Sequence, residues 1–219
     1  MATPYFQLRH DTVPSTQNVA REALEDLPVL VLARSQTEGR GRSGHEWQNA
    51  ERSLAASMAI RLDESDRRPL SLMAGVAATR ATEDTSLKWP NDILHSGAKV
   101  GGILVERSAD VVVIGLGLNL WWPDAPTGMG ALFQSDPGGD RHAEVGALWG
   151  AELMRIVDDD GWPIDEYRSR CVTIGNFISW DPDGEGRAVD VAHDGGLVVD
   201  RDGTHETVYS GEIRHLRHR

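Results

Sequence analysis

The stretch from Lys88 to Glu106 reads Lys-Trp-Pro-Asn-Asp-Ile-Leu-His-Ser-Gly-Ala-Lys-Val-Gly-Gly-Ile-Leu-Val-Glu and anchors the predicted fold. Lys88 and Lys99 are the only lysines among the 22 Lys and Arg residues of the sequence. A compact ammonium group can lie against a phosphate or carboxylate in a narrow pocket, where a planar guanidinium fits less well. The pattern indicates an anion site at the two lysines, although two lysines can also be neighbours by accident.

Three β-forming segments around this stretch predict an antiparallel meander. Leu87–Trp89 is a short strand ended by a proline, and it is followed by the longer apolar strands Val100–Glu106 and Asp110–Leu120. The Asn91-Asp92 and Ser96-Gly97 turns reverse the chain between the strands.

Glycines interrupt two of these strands. Gly101 and Gly102 weaken their strand unless a ligand or a neighbouring backbone approaches closely. Gly115, Gly117 and Asn119 alternate along the next strand and therefore share one face. The result is a bare strip with a polar end, on which a flat ligand could lie.

A glycine- and arginine-rich segment, Arg34–Trp47, follows the buried strand Val29–Ala33. It contains three glycines and three arginines and has no apolar periodicity. Glycines let backbone amides approach an anion closely while arginines neutralise its charge. The alternative reading is a mobile, charged surface loop, and the pattern alone leaves both open.

Helices flank the predicted sheet, and a β-rich region follows it. One amphipathic helix begins at Ser15 or Thr16 and ends before Pro28, and two more are predicted at Leu70–Arg80 and Arg141–Asp158. From Tyr167 onward, acidic turns separate short β-like runs, which predict a compact β-barrel. The runs are Cys171–Ser179, Gly186–Val191, Gly196–Val199 and Thr207–Ser210. We expect an α+β fold with a mixed, mainly antiparallel sheet over residues 1–166 and a small barrel domain over 167–219. His215 and His218 look like a solvated tail.

Composition limits the possible partners. A net charge of −12 argues against binding to nucleic acid, which requires a basic face. No segment has the roughly 18 apolar residues of a membrane span, and the N-terminus has no signal-peptide pattern. The single cysteine, Cys171, excludes an intramolecular disulfide, and a reducing cytoplasm fits.

Four motifs, in order, resemble those of the biotin–protein ligases, and the resemblance covers nearly the whole chain. The glycine-rich loop of that family resembles Gly39–Trp47, and its Lys-Trp-Pro-Asn-Asp signature is intact at Lys88–Asp92. Its Lys-x-x-Gly-Ile-Leu-Val-Glu strand resembles Lys99–Glu106, and its Gly-x-Gly-x-Asn strand resembles Gly115–Asn119. The region from Tyr167 to Arg217 is similar to the SH3-like C-terminal domain of the family. The resemblance implies the class II synthetase-like, biotin–lipoate ligase fold.

The resemblance also implies a two-step acyl transfer. Biotin and ATP would form biotinyl-5′-AMP, and a lysine of a biotin carboxyl carrier domain would then take the biotin. Such chemistry needs donors for the biotin head group, cations between the carboxylate and the α-phosphate, and a cover that excludes water. Mg²⁺ is implied as the metal that accompanies ATP. Neither nucleic acid nor membrane is an expected partner, and the chain would be a monomer or a homodimer.

The family's functional residues carry over to positions that match its motifs. Lys99 is implied as the main catalytic cation, and Arg42 would retain the adenylate. Biotin would be bound by Ser15, Thr16, Gln36, Arg40, Gly101 and Gly102. The nucleotide would be bound by Arg40, Arg42, Trp47, Lys88, Asn91, Asp92 and Asn119. Asp92 would also contact the metal ion, and a packing role for Trp47 remains open.

The chain departs from the family pattern at several positions. Ser43 and His45 replace further basic residues of the loop, so phosphate retention would rest more heavily on Arg40 and Arg42. The Gly-Asn-Leu that usually follows the loop tryptophan is missing. The helix that begins at Ser15 already matches the ligase domain, so we expect no N-terminal DNA-binding domain.

Two other functions compete with this interpretation. A lipoate or octanoate ligase of related fold would need an apolar acyl tunnel, and it gives no reason for the Gly39–Gly44 pattern. A non-catalytic, biotin-responsive module would not need Lys99 and Asp92. ATP–pyrophosphate exchange with biotin or with lipoate distinguishes these possibilities.

Overall fold

The computed structural model describes residues 3–180, 184–209 and 213–215. Two sheets and four α-helices make up the described chain. The strands are β1 (Phe6–Val13), β2 (Val29–Gln36), β3 (Arg52–Arg61), β4 (Thr85–Lys88), β5 (Asp92–His95), β6 (Ala98–Ser108), β7 (Val111–Trp121), β8 (Phe177–Trp180), β9 (Gly184–Val191), β10 (Leu197–Arg201), β11 (Thr204–Val208) and β12 (Ile213–His215). The helices are α1 (Thr16–Ala23), α2 (Leu70–Ala81), α3 (Arg141–Val157) and α4 (Ile164–Arg170), with a single 3-10 turn at Arg42–Gly44.

The larger sheet has seven strands in the order β1-β2-β3-β7-β6-β5-β4. Only the β1–β2 pair is parallel, and the other neighbours are antiparallel. The expected mixed, mainly antiparallel sheet of an α+β fold is therefore confirmed. Its central strands are buried on both faces because they carry apolar or small residues almost throughout, as in the run Leu54–Ile60.

The two faces of this sheet are covered differently. On one face α2 and α3 bury a continuous apolar core that includes Leu30, Met73 and Trp149. On the other face the shorter helix α1 packs against a small cluster that includes Val31 and Val113. Because α1 has only eight residues, it covers only part of its face. The rest of this sheet face is not covered by a helix of the described chain.

A second, five-stranded antiparallel sheet has the order β11-β10-β9-β8-β12. Its edge strands β11 and β12 are not paired with each other within the described ranges, so the predicted closed barrel is not confirmed there. Two indole N–H groups attach this sheet to the rest of the protein. Trp89 Nε1 donates to the Gly195 carbonyl at 2.9 Å, and Trp162 Nε1 donates to the His193 carbonyl at 2.7 Å. The turn between β9 and β10 is thereby fixed against the larger domain.

Several predicted boundaries differ from the structure. The edge strand β1 was not predicted, because most of its residues are exposed and its sequence lacks a clear apolar alternation. Helix α1 ends at Ala23, earlier than expected, since Leu24 already has extended backbone angles. The run predicted to begin at Cys171 consists of turns as far as residue 176, and β8 begins only at Phe177.

His215 does not belong to a solvated tail. It lies in β12, where its Nε2 is 3.3 Å from Thr173 Oγ1. The predicted run to Ser210, the position of His218 and the last residues of the 167–219 domain fall partly outside the described residues. No helix in the described ranges is long and apolar enough to cross a membrane.

Candidate active site

A cleft of ≈ 880 Å³ lies on the sheet face that α1 leaves uncovered. Its walls come from the start of α1, the glycine-rich segment before β3, the β4–β5 turn, the middle of β6 and β7, and β12. Most of the predicted site residues line it: Ser15, Thr16, Gln36, Arg40, Arg42, Trp47, Lys88, Asn91, Asp92, Lys99 and Gly102. Stretches from Ser15 to Arg214 thus meet at one place.

The wall at α1 is a neutral hydrogen-bonding network. Thr16 Oγ1 accepts a hydrogen bond from Ser57 Oγ at 2.8 Å and donates to Gln36 Oε1 at 3.0 Å. Ser15 is the N-cap residue of α1, but its hydroxyl makes no capping hydrogen bond and has no partner among the described residues. With Ser15 only 1% exposed, this hydroxyl is available to a ligand in the cleft rather than to the helix.

Ser57 was not predicted, although the sequence contains one signal for it. It is a polar residue in the middle of an apolar strand and is fully buried. A buried hydroxyl is costly unless it is hydrogen-bonded, and Thr16 supplies the partner.

The wall at β5 and β6 is cationic. Lys99 Nζ lies 2.5 Å from Asp92 Oδ1, and Lys88 Nζ lies 3.8 Å from Asp92 Oδ2. Two ammonium groups around one carboxylate leave an excess positive charge for an anion. The backbone of Lys99 is fixed as well, because its N–H donates to the Gly128 carbonyl and its own carbonyl accepts from Gly130 N–H.

The glycine-rich segment crosses the cleft as a strap, defined here as residues Gly39–Trp47. Arg40 donates to Asn18 Oδ1 at 2.9 Å and to Glu106 at 3.3 Å, on the α1 side. Arg42 donates to Asn91 Oδ1 at 3.2 Å, on the β4–β5 side. Glu106 also pairs with Arg21 of α1 at 2.7 Å. The two strap arginines are therefore attached to opposite walls.

The ring of Trp47, the last residue of the strap, packs against β7. A Cβ atom added to Gly117 would lie 2.7 Å from the Trp47 ring, so only glycine admits the indole there. The Trp47 Nε1 atom is buried and has no partner among the described residues. The bare strip predicted from the β7 glycines thus exists, and part of it is occupied by this ring.

Two predicted residues do not line the cleft. Gly101 faces the opposite side from Gly102, and an added Cβ would lie 2.5 Å from Leu118 Cδ2, so it accommodates close packing within the fold. Asn119 is fully buried, and its Nδ2 donates to the Gly130 carbonyl at 3.0 Å. Its Oδ1 has no partner in the part of the chain that the structure describes.

The C-terminal sheet contributes to the site through β12. Ile213 and Arg214 line the cleft, which sequence analysis did not predict. Burial and the nearby Lys88 ammonium lower the pKa of His215, the next residue. No motif indicated this contact, because it depends on how the second sheet docks.

The described residues contain no group of three His, Cys, Asp or Glu side chains that could hold a metal ion. Asp92 is the carboxylate of the cationic wall, and both lysines already compete for it. A metal ion beside this wall would have to take its ligands chiefly from phosphate oxygens and water, as Mg²⁺ with a nucleotide does.

Comparison with known proteins identifies the family of the chain. Residues 11–119 match the model of the Biotin/lipoate A/B protein ligase family, and residues 181–216 match the Biotin protein ligase C terminal domain. The chain is 33% identical over 214 residues to the biotin--[acetyl-CoA-carboxylase] ligase of Mycobacterium tuberculosis, covering 86% of this chain and 79% of that protein. The chain belongs to the biotin protein ligase family.

Other ligases extend the comparison. The bifunctional ligase/repressor BirA of Bacillus subtilis is 39% identical over 127 residues, which cover 51% of this chain and 39% of that protein. The structure of the Aquifex aeolicus biotin protein ligase in complex with biotin and ATP covers 97% of this chain and 99% of its own, with a TM-score of 0.80. At 23% identity that likeness shows the ligase fold, including the C-terminal sheet domain.

Proposed function

We propose that this member of the family is an ATP-dependent biotin–protein ligase, which forms biotinyl-5′-AMP and transfers biotin to a lysine of a carrier domain. One observation carries the proposal: a single cleft has a neutral hydrogen-bonding wall at Thr16 and a cationic wall at Lys99. The first wall rests on α1 and β3 and the second on β5 and β6, so two to three strand spacings, or roughly 10 to 14 Å, separate them. A ligand with a neutral polar head and a carboxylate tail matches this arrangement.

In the first half-reaction, the biotin carboxylate attacks the α-phosphorus of ATP, and the bond to pyrophosphate breaks. Both reacting groups are anions, so their approach is opposed until cations neutralise them. Lys99, held by Asp92, supplies such a charge without reorganisation. In the second half-reaction, a lysine amine attacks the acyl carbon, and AMP leaves with its negative charge beside the same ammonium group.

The nucleotide would lie toward the cationic wall and the strap. Lys88, Asn91 and Asp92 stand on that wall, and Arg42 reaches it from the strap. Trp47 offers a flat apolar surface beside β7. Asn119 is a buried residue of β7 itself, its Oδ1 has no partner among the described residues, and it stays a proposed adenine contact. Mg²⁺ would accompany ATP, with Asp92 as its protein contact.

The strap would also protect the mixed anhydride. A hydrolysable intermediate must be kept from water between the two half-reactions. Arg40 and Arg42 attach the strap to both walls, which gives the cleft a cover over its middle.

The partner would be the biotin carboxyl carrier domain of a biotin-dependent carboxylase, and the compartment the cytoplasm. We expect neither nucleic acid nor membrane as a partner, in keeping with the net charge of −12. A monomer and a homodimer are both compatible with this activity.

A lipoate or octanoate ligase is the alternative with the same fold, since the matching family model includes lipoate ligases. Its substrate would place an apolar chain against the wall at α1. That wall instead presents the hydroxyls of Ser15, Thr16 and Ser57 and the amide of Gln36. Against an apolar chain these groups would lose their hydrogen bonds to water without gaining new ones. A non-catalytic module would have no use for the Lys99–Asp92 pair.

ATP–pyrophosphate exchange tests the proposal. Purified full-length protein should exchange labelled pyrophosphate into ATP when biotin is present. Lipoate and octanoate at the same concentration should support at most a small fraction of that rate. Exchange with lipoate but not with biotin would establish the alternative, and no exchange with any of the three would contradict a ligase.

A further inference from the structure

His45, a residue of the strap, has an imidazole ring that is held by the backbone. Its Nδ1 lies 2.9 Å from the Arg42 carbonyl oxygen, which also accepts a hydrogen bond from the His45 backbone N–H at 3.0 Å. A carbonyl oxygen can only accept, so Nδ1 carries the proton of this contact. In the neutral ring Nε2 is then an unprotonated acceptor, and it makes no hydrogen bond to a described residue.

The ring stands where a second substrate would enter. His45 lines the cleft and is also exposed to solvent. The carbonyl that holds it belongs to Arg42, whose guanidinium donates to Asn91 Oδ1. Asn91 directly precedes Asp92, the carboxylate that holds Lys99. The Nε2 atom of His45 is therefore on a segment of the strap that is attached beside the cationic wall and that solvent can reach.

An acceptor lysine must lose a proton before it can react at this wall. With a pKa of about 10.4, its ammonium group is almost wholly protonated at neutral pH, and an ammonium nitrogen has no lone pair for attack. The cations Lys88, Lys99 and Arg42 also repel a further ammonium group, which favours the neutral amine there. The cleft consequently needs a group that accepts the proton.

Among the described residues that line the cleft, Asp92, Glu46 and His45 are the side chains that can accept a proton at neutral pH. Asp92 is held by two lysines, and opposite charges nearby favour its charged form over the protonated one. Glu46 is a carboxylate, and a carboxylate binds a proton more weakly than an imidazole does. His45 remains, and its ring already has the fixed orientation that general base catalysis requires.

We propose that His45 is the general base of the second half-reaction and takes a proton from the acceptor lysine. This inference rests on the proposed function. The ammonium group gives one proton to Nε2, and the neutral nitrogen attacks the acyl carbon of biotinyl-AMP. The acyl C–O bond breaks, and its electron pair leaves with AMP. The nitrogen then loses its second proton to water, while the imidazolium returns its proton to solvent from the exposed ring.

The first test compares two nucleophiles in His45→Gln, with preformed biotinyl-AMP as the donor. Transfer to the lysine of a carrier domain should be about 100-fold slower than in the wild type, the usual loss of a general base. Transfer to hydroxylamine should stay close to the wild-type rate, because this nucleophile is unprotonated at neutral pH. His95→Gln is the matched control: its Nδ1 contacts the Asp84 carbonyl at 3.1 Å outside the cleft, and both rates should be unchanged.

The second test raises the pH. Solvent deprotonates more of the acceptor lysine as the pH approaches the lysine pKa of about 10.4, so the base matters less. The deficit of His45→Gln in carrier transfer should therefore shrink between about pH 7 and about pH 9. Should the glutamine variant fail to fold, His45→Ala replaces it, and added imidazole should then accelerate its transfer to the carrier lysine.

Three results would overturn the inference: an unchanged rate of carrier transfer in His45→Gln, an equal loss with the carrier lysine and with hydroxylamine, or a deficit that does not change with pH. An equal loss would indicate that His45 only shapes the strap. A wild-type protein that transfers biotin from biotinyl-AMP to no carrier domain would instead contradict the proposed function itself. The two failures are therefore distinguishable.

Discussion

Asp92 organises the charge of the cleft at the residue scale. Its carboxylate lies 2.5 Å from Lys99 Nζ and 3.8 Å from Lys88 Nζ, so both lysines of the chain are held by one acid. A lysine is flexible in solution, and the pair restricts Lys99 before any substrate binds. Preorganised charge of this kind lowers a barrier because no reorganisation is needed during the reaction.

We expect Lys99→Ala to reduce adenylate formation by at least about 100-fold, the usual loss when one preorganised group is removed from a reaction centre. The fold should persist, because Lys99 is partly exposed and its backbone contacts do not involve the side chain. Single-turnover formation of biotinyl-AMP measures the change. Arg61→Ala, which breaks the exposed pair with Asp110, is the control and should have wild-type activity. Wild-type rates in Lys99→Ala would remove Lys99 from the chemistry.

Sequence pattern indicated the charged part of the site, and the family resemblance added Ser15, Thr16 and Gln36 of its neutral part. Lys88, Asp92 and Lys99 are close in sequence, and a hairpin brings them together, so local pattern sufficed. Ser57 was not predicted; its hydrogen bond to Thr16 joins β3 to α1. Such a hydrogen bond depends on tertiary packing, so no spacing of residues in the sequence predicts it.

At the scale of elements, the strap decides how long an intermediate stays in the cleft. Arg42→Gly removes the contact with Asn91 and one positive charge near the proposed phosphate position. We expect faster release of biotinyl-AMP, and with it biotin labelling of lysines on unrelated proteins. Western blotting of a lysate with streptavidin measures the stray labelling, and rapid dilution measures the release rate. An unchanged release rate would contradict a retaining role.

Glu106 holds the same strap from the other wall. In Glu106→Gln, Arg40 and Arg21 lose their shared carboxylate while the shape of the side chain is kept. We expect trypsin to cleave at Arg40 or Arg42 several-fold faster than in the wild type. Asp110→Asn, which breaks an exposed ion pair between the β6–β7 turn and the end of β3, is the control. Equal cleavage rates in all three proteins would show that Glu106 does not anchor the strap.

The elements themselves were predictable to different degrees. Apolar runs such as Val29–Ala33 identified the central strands, because burial on both faces leaves a continuous apolar signal. The edge strand β1 has one protected side only, and its polar sequence resembles a loop. Strand β5 was not predicted as a strand, since four residues are too few to show an alternation.

At the scale of the whole molecule, the second sheet is held to the first domain by a wedged turn. Gly195 has a φ of +90°, and a Cβ atom there would lie 2.5 Å from Pro69 Cβ. Together with the two indole hydrogen bonds, this contact positions β12 beside Lys88. The predicted boundary at residue 167 falls inside α4, where the buried Tyr167 packs in the common core. Sequence could indicate a change in strand pattern there but not the docking.

One buried histidine, His142, and one partly buried histidine, His215, make stability depend on pH. Burial lowers the pKa of His142 and of His215. The unfolded chain, with a histidine pKa of about 6.5, then binds protons that the folded protein does not, so the free energy of unfolding decreases as pH falls below that value. We expect His215→Asn to make this decrease smaller between pH 7 and 5. Urea unfolding at several pH values measures it, with the exposed His205→Asn as control. Equal slopes in His215→Asn and the wild type would contradict the argument.

The most direct test of the ligase activity is the mass of an acceptor. An isolated biotin carboxyl carrier domain is incubated with the protein, biotin and ATP, and its intact mass is recorded. We predict an increase by one biotinyl group, which disappears without ATP, with Lys99→Ala, or when the acceptor lysine is replaced by arginine. An acceptor mass that stays unchanged in the complete reaction, across carrier domains of several carboxylases, would contradict the assignment.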